Sequence, residues 1–118
     1  MSSLSLQVQR FCDEMMRRLK SEIGRFYTDG FMSRHLPQVW VLRTEGLAFT
    51  IVMDSQGNVT LAGSEGRNSD VTITTTESVL SDALESRSRP RREWHVAFNT
   101  RKGEAAYTYM RGRFGLWG

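Results

Sequence analysis

The chain has 118 residues, 39% hydrophobic and 25% charged, which suits one domain and leaves little room for two. Its net charge is +3, and no run approaches the roughly 18 apolar residues of a membrane span. The single cysteine, Cys12, excludes an internal disulfide and a thiolate metal cluster.

The opening Met-Ser-Ser-Leu-Ser-Leu has no basic segment followed by an apolar one, so no signal peptide is expected and the cytoplasm is the expected compartment. The first element is a helix over Ser5 to Ile23. Val8, Phe11, Cys12, Met15, Leu19, Ile23 and Phe26 recur at spacings that place them on one stripe. Asp13, Glu14, Arg17, Arg18, Lys20 and Glu22 cover the other side. A lone helix of this length is marginal in water, so the stripe has to be buried. Gly24 and Gly30 bracket its exit.

The period then changes. Val39–Leu42 and Leu47–Met53 are β-branched and aromatic, and Glu45-Gly46 between them predicts a tight hairpin. In the second strand Leu47, Phe49, Ile51 and Met53 should face the core. Asp54–Asn58 is a turn, Val59–Leu61 a third strand, Glu65–Ser69 a loop and Val71–Thr74 a fourth strand. Successive turns predict an antiparallel meander.

A second helix is expected over Thr76 to Ser86, capped by Thr74-x-x-Glu77, with Val79, Leu80, Ala83 and Leu84 buried and Pro90 stopping it. Trp94, Val96 and Phe98 alternate as a strand would, and Thr100–Gly103 reads as a turn. Glu104–Met110 fits a returning strand or a short helix equally. Gly112–Gly118 reads as a last short strand. The sum is α+β: a single antiparallel-rich sheet of about five strands with helices packed on one face.

Asp70-Val71-Thr72-Ile73-Thr74-Thr75-Thr76-Glu77-Ser78-Val79-Leu80 resembles the signature of sterol carrier protein 2-like lipid-binding domains, in which an Asp-Val/Cys-Thr-Ile-Thr strand leads into a helix. The apolar strand Leu47 to Met53, the Asp-Ser-Gln-Gly turn, the Val59 strand and the amphipathic first helix stand in that family's order. Gly112-Arg113-Phe114-Gly115-Leu116-Trp117-Gly118 is similar to its Gly-Lys-Leu-Lys-Ile-x-Gly strand. Two departures accompany the likeness. The stretch from Asp70 to Gly112 is longer than in the family, and the chain ends where the family continues into a helix that helps close a ligand tunnel. The resemblance implies one sterol-carrier-like domain over residues 1–118, lacking that helix. It also implies an apolar tunnel between helices and sheet for a sterol or fatty acyl chain, lined by Phe11, Met15, Leu19, Phe49, Ile51, Met53, Leu80, Leu84, Phe98 and Phe114.

An empty tunnel of about 300 Å³ would cost roughly 7 kcal/mol at about 24 cal/mol per Å³. That is comparable with the whole stability of a small domain, about 5–15 kcal/mol. Any tunnel is therefore expected to be filled by ligand, filled by a dimer partner, or small.

No catalytic role is expected. His35 and His95 have no ligand-spaced partner, Gly112-x-x-Gly115 is too sparse to cradle a pyrophosphate, and no nucleophile elbow holds a serine. Neither a cofactor nor a metal is expected. Met15, Met16, Met53 and Met110 suit an adaptable apolar surface, but for any one of them core filling is the preferred reading. Residues 87–113 carry Arg87, Arg89, Arg91, Arg92, Arg101, Lys102, Arg111 and Arg113 against Glu93 and Glu104. This patch attracts anions, and Arg87, Arg89, Arg91 and Arg92 are the expected contacts to an acidic head group or peripheral membrane. Three functions follow, in this order. The first is non-catalytic binding of a lipid or other apolar molecule. The second is a protein-interaction or homodimer module using the apolar Phe114–Trp117 end. The third is nucleic-acid binding, for which no RNP, zinc-finger or helix-turn-helix signature is visible.

Overall fold

The structure, a computed structural model, describes residues 3–24, 34–62 and 68–117, with side chains omitted for 22–24. The side chain of Ile23, together with Phe26, Gly30, Glu65, Gly66, Arg67 and Gly118, lies outside the described residues. In chain order come α1 (Ser3–Gly24), β1 (Gln38–Arg43), β2 (Ala48–Met53), β3 (Val59–Ala62), β4 (Val71–Thr74), α2 (Glu77–Ser86), β5 (His95–Phe98) and α3 (Arg101–Phe114). The sheet runs β3-β2-β1-β4-β5. The α+β class, the five strands and the helical cover are as the sequence predicts.

Register explains the core. Trp40 on β1 lies opposite Ile51 on β2 and Val71 on β4, and Leu42 lies opposite Phe49 and Ile73. Strand side chains alternate between faces, so these residues share one apolar face with Met53 and Val59. Against them stand Leu4, Val8, Phe11, Cys12, Met15 and Leu19 of α1, and Leu80, Ala83 and Leu84 of α2, in one continuous buried cluster. The other face carries smaller side chains: Val39, Val41, Thr50, Val52 and Thr72.

The meander is corrected at its fourth strand. β1, β2 and β3 are antiparallel, but β4 pairs parallel with β1. The chain crosses to the free edge of β1, where two clips hold the pairing. At one end Asp70 N–H donates to the Val39 carbonyl (2.6 Å) and the Asp70 carboxyl accepts from Val39 N–H (2.8 Å). At the other, Thr75 N–H donates to the Arg43 carbonyl (2.9 Å). The leading Asp of the quoted signature is thus the residue that fixes strand order.

Helix ends also differ in detail. Thr74 lies inside β4, so the cap of α2 is Thr76, whose hydroxyl accepts from Val79 N–H. Its stop is Arg87, in the left-handed region at φ 63 with its N–H on the Ala83 carbonyl, ahead of Pro90.

The largest correction lies beyond Asn99. The expected turn at 100–103, the undecided segment and the terminal strand at Gly112–Gly118 are replaced by α3 and a closing turn. Thr100 caps the helix, accepting from Gly103 N–H, and Gly115 at φ 67 ends it. Gly103, Ala106, Tyr107 and Met110 form a buried stripe at helical spacing. The fifth strand is β5, antiparallel to β4. The strand before the final helix is therefore β5, at His95–Phe98, and not the segment from Gly112.

Candidate ligand site between the helices and the sheet

Phe11, Met15 and Leu19 of α1, Phe49, Ile51 and Met53 of β2, and Leu80 and Leu84 of α2 all enter the same buried cluster. Phe98 does not, and Phe114 packs against the cluster only as a partly buried residue. Phe98 is 41% exposed at the edge strand, its ring against Tyr107 at 5.5 Å. Phe114 is half-buried at the end of α3, with the Tyr109 ring 6.3 Å away and the Arg18 guanidinium 5.5 Å from its centroid.

The middle of the cluster is filled by residues that sequence reasoning did not place there. After Gly115 the chain folds back, with Leu116 N–H on the Met110 carbonyl (3.3 Å), and inserts Trp117, which is fully buried. Its indole stacks on Phe11 (5.2 Å, interplanar 13°), meets Trp94 edge-on (5.0 Å, 66°) and lies 6.3 Å from Tyr107. Trp117 N–H donates to the Arg87 carbonyl (2.8 Å), and the indole Nε1–H donates to the Ala83 carbonyl (3.1 Å). The signal that could have found it is the Ala106, Tyr107, Met110 spacing followed by a basic turn and Gly115, which is a helix with its stop. An apolar residue beyond such a stop commonly packs back onto the helix.

Polar groups in this layer are few. Gln38 is buried and satisfied: its amide N–H₂ donates to the carbonyls of His35 (2.7 Å) and Lys102 (2.9 Å), and its oxygen accepts from the Trp40 indole (2.9 Å). Trp94 Nε1 is buried without a hydrogen-bond acceptor. It approaches the Tyr107 hydroxyl closely enough to counter part of the upward shift that burial gives that group, yet the geometry falls short of a hydrogen bond. Burial, with Asp13 adding to it, pushes the Cys12 thiol up to about 12, so it is a buried hydrophobe rather than a nucleophile. No cluster of three His, Cys, Asp or Glu able to hold a metal occurs among the described residues.

The four arginines divide. Arg87 is engaged: Nη1 and Nη2 donate to both carboxylate oxygens of Glu14 (2.7 and 2.6 Å), Nε–H donates to the Leu84 carbonyl (2.9 Å), and its guanidinium lies 5.5 Å from the Phe11 ring centroid. That bond to Arg87, foremost, holds the Glu14 carboxyl below its ordinary value. Arg89, Arg91 and Arg92 are exposed and, with Pro90, Val79, Asp82 and Ala83, line a surface groove of about 330 Å³. A second groove, of about 340 Å³ between α1 and α2, is lined by Phe11, Glu14, Leu84 and Arg87 among others. Trp94, Tyr107 and Trp117 are buried, so the aromatics beside the basic segment do not form a platform for stacking bases.

No protein-family model matches the chain, and no curated protein matches it. Solved structures do. The sterol carrier protein domain 2 of Helicoverpa armigera is 14% identical, with 89% of each chain covered and a TM-score of 0.51. The Sterol Carrier Protein 2 Like 2 of Aedes aegypti is 14% identical over 85% of this chain and 95% of that one, with a TM-score of 0.43. A "UbiJ-SCP2 Ubiquinone synthesis protein" is 16% identical over 83% and 94%, with a TM-score of 0.46. Strand order, helical cover and the likeness to the Helicoverpa domain agree: the chain has the sterol carrier protein 2-like fold.

Proposed function

We propose that this protein binds an apolar ligand, of fatty acyl or sterol-like class, in the layer between its helices and its sheet. One observation carries the reading. The centre of that layer is closed by Trp117, a residue of the turn after α3 rather than of a helix or strand. An apolar interior closed by a short turn can be opened without dismantling the sheet. The fold likeness supports the same reading, and the neighbours' printed names call two of them sterol carriers. Met15, Met53 and Met110, all buried, supply side chains that repack readily around varied shapes.

A titration of delipidated protein with a fluorescent fatty-acyl probe, displaced by unlabelled lipids, tests this. Saturable, competable binding is the expected result. Absence of binding by protein whose circular dichroism is that of the folded state overturns it.

A second reading is favoured by the closed interior itself: a scaffold whose ligand space is permanently occupied, serving as an interaction or homodimer module. Mass by size-exclusion chromatography distinguishes them, since this reading expects a dimer or a complex and a strict monomer at high concentration removes it.

A further inference from the structure

We infer that the seat of Trp117 is a binding site for a flat aromatic molecule bearing a hydroxyl group, and that the turn after α3 occupies it as a tethered competitor. The inference rests on the apolar-ligand reading above and specifies where such a ligand sits and what its head group is.

Three features separate Trp117 from an ordinary core residue. It lies past the stop of α3 at a left-handed φ of 53, a conformation disfavoured for a residue with a side chain. Its seat is thus held against backbone preference. Its hydrogen bonds both go to carbonyls at the end of α2, those of Ala83 and Arg87, so releasing it breaks no strand or helix bond. The walls it touches, although themselves buried, lie beneath two surface grooves. Phe11, on which it stacks, lines the groove between α1 and α2, and Ala83 lines the arginine groove.

The chemistry of the walls names the ligand class. Phe11 parallel to the indole and Trp94 edge-on form a slot for a planar ring. The Ala83 carbonyl accepts Arg87 N–H (3.0 Å) and still takes a second donor on the side facing the seat. Trp94 is 8% exposed and its Nε1 has no acceptor, although buried donors are ordinarily bonded. An indole, which donates and cannot accept, leaves that N–H unanswered. A hydroxyl both donates and accepts.

The test uses the full chain, delipidated, with 2-naphthol and naphthalene as probes in a calorimetric titration. A tethered competitor lowers apparent affinity by the fraction of time the seat is empty. Trp117→Ala is therefore expected to bind 2-naphthol at least about tenfold more tightly than the natural chain, a difference of ~1.4 kcal/mol. Naphthalene, equal in shape and lacking the hydroxyl, should bind that variant about tenfold more weakly than 2-naphthol does. A folded Trp117→Ala variant with no gain for 2-naphthol overturns the inference. Should that variant not fold, Trp117→Phe serves, with a smaller gain in the same direction, and equal affinity again overturns it. In the natural chain, 2-naphthol at high concentration should shift the Trp117 indole N–H resonance before that of Trp40, and an unmoved Trp117 signal counts against displacement. A fatty-acyl probe that binds while 2-naphthol binds neither chain removes this site and leaves the apolar-ligand reading standing. Failure of every probe removes both.

Discussion

At the scale of single residues, Asp70 concentrates the most structure in one side chain. Its carboxyl accepts from Val39 N–H (2.8 Å) and from the Thr100 hydroxyl (2.7 Å), with Lys102 Nζ at 3.9 Å. It therefore joins β4 to β1 and fixes the start of α3. Gly103 completes the joint: a Cβ there would fall against the Asp70 carbonyl, closer than any real Cβ contact, so the position requires glycine. Asp70→Ala strands two donors in a buried place, and an expected loss of about 2–4 kcal/mol of unfolding free energy in urea follows. Thr100→Val removes one of those bonds and the cap, and should cost about 1–2 kcal/mol. Equal stabilities for Asp70→Ala and the natural chain would show that the joint is redundant. Cys12 makes the opposite kind of prediction, an absence of reactivity. With its thiol pushed to about 12, native protein at pH 8 should resist thiol reagents that label it at once in denaturant. The sign of the linkage follows: above the ordinary thiol value of 9.0 the unfolded chain releases its proton while the folded chain keeps it. Stability therefore falls as pH rises from there toward 12, and Cys12→Ala should flatten that alkaline decline.

Among the elements, Arg87 decides how α1, α2 and the final turn meet. It ends α2 in the left-handed region, pairs with Glu14 of α1, and offers its carbonyl to Trp117. Backbone and side chain pull in different directions. Glycine at this position would relieve a strain of about 1 kcal/mol while losing the ion pair, whereas alanine loses the pair and keeps the strain. Arg87→Gly should therefore be more stable than Arg87→Ala by about 1 kcal/mol, and the reverse order in thermal melts would contradict the capping role. Both charged partners are roughly a quarter exposed, so the pair is worth about 0.5–1 kcal/mol in a double-mutant cycle. Because the Glu14 carboxyl is held below its ordinary value, this contribution is present at neutral pH and disappears as pH falls through the lowered value. These elements also show what the sequence made legible. α1, β1, β2, β3 and α2 were readable because apolar period and turn residues agreed in each. The parallel seat of β4 was not, because it depends on Asp70 meeting Val39, a contact across 31 positions that local pattern does not carry. α3 was legible only in part: Gly103 suggested a turn but is there for a close approach, Glu104–Met110 fitted strand or helix equally, and Gly112, which opened the expected strand, has no neighbour that a side chain would meet. The buried positions on α1, β2 and α2 were legible from periodicity alone. Trp117 was missed because a terminal strand had been assigned to the residues that fold back.

For the molecule as a whole, Arg87 stands apart from its neighbours in the basic segment, and we propose that the neighbours are a contact for an anionic lipid surface. Arg87 is absorbed into the fold, while Arg89, Arg91 and Arg92 project around a groove whose floor includes Val79 and Ala83. An arginine rim over an apolar floor suits an anionic lipid surface, where each basic residue near the head groups contributes about 1 kcal/mol. Replacing all three by serine takes the formal net charge from +3 to 0, since 3 − 3 = 0. Association with phosphatidylserine-rich vesicles should then fall by about 3 kcal/mol, roughly 150-fold. The thermal midpoint should hardly move, because the side chains are exposed and such surface substitutions usually change stability by no more than about 0.5 kcal/mol. Raising the salt should weaken the natural chain's binding strongly and leave the variant's residual binding nearly unchanged, because the screening length shrinks from ~8 Å at physiological ionic strength to ~3 Å at 1 M. Cosedimentation with vesicles at two salt concentrations measures both. Equal binding by the two chains at low salt would remove these arginines as a lipid contact. Salt-sensitive binding lost with the arginines would put the lipid surface directly above Ala83, whose carbonyl holds the Trp117 indole, and so beside the route into the core.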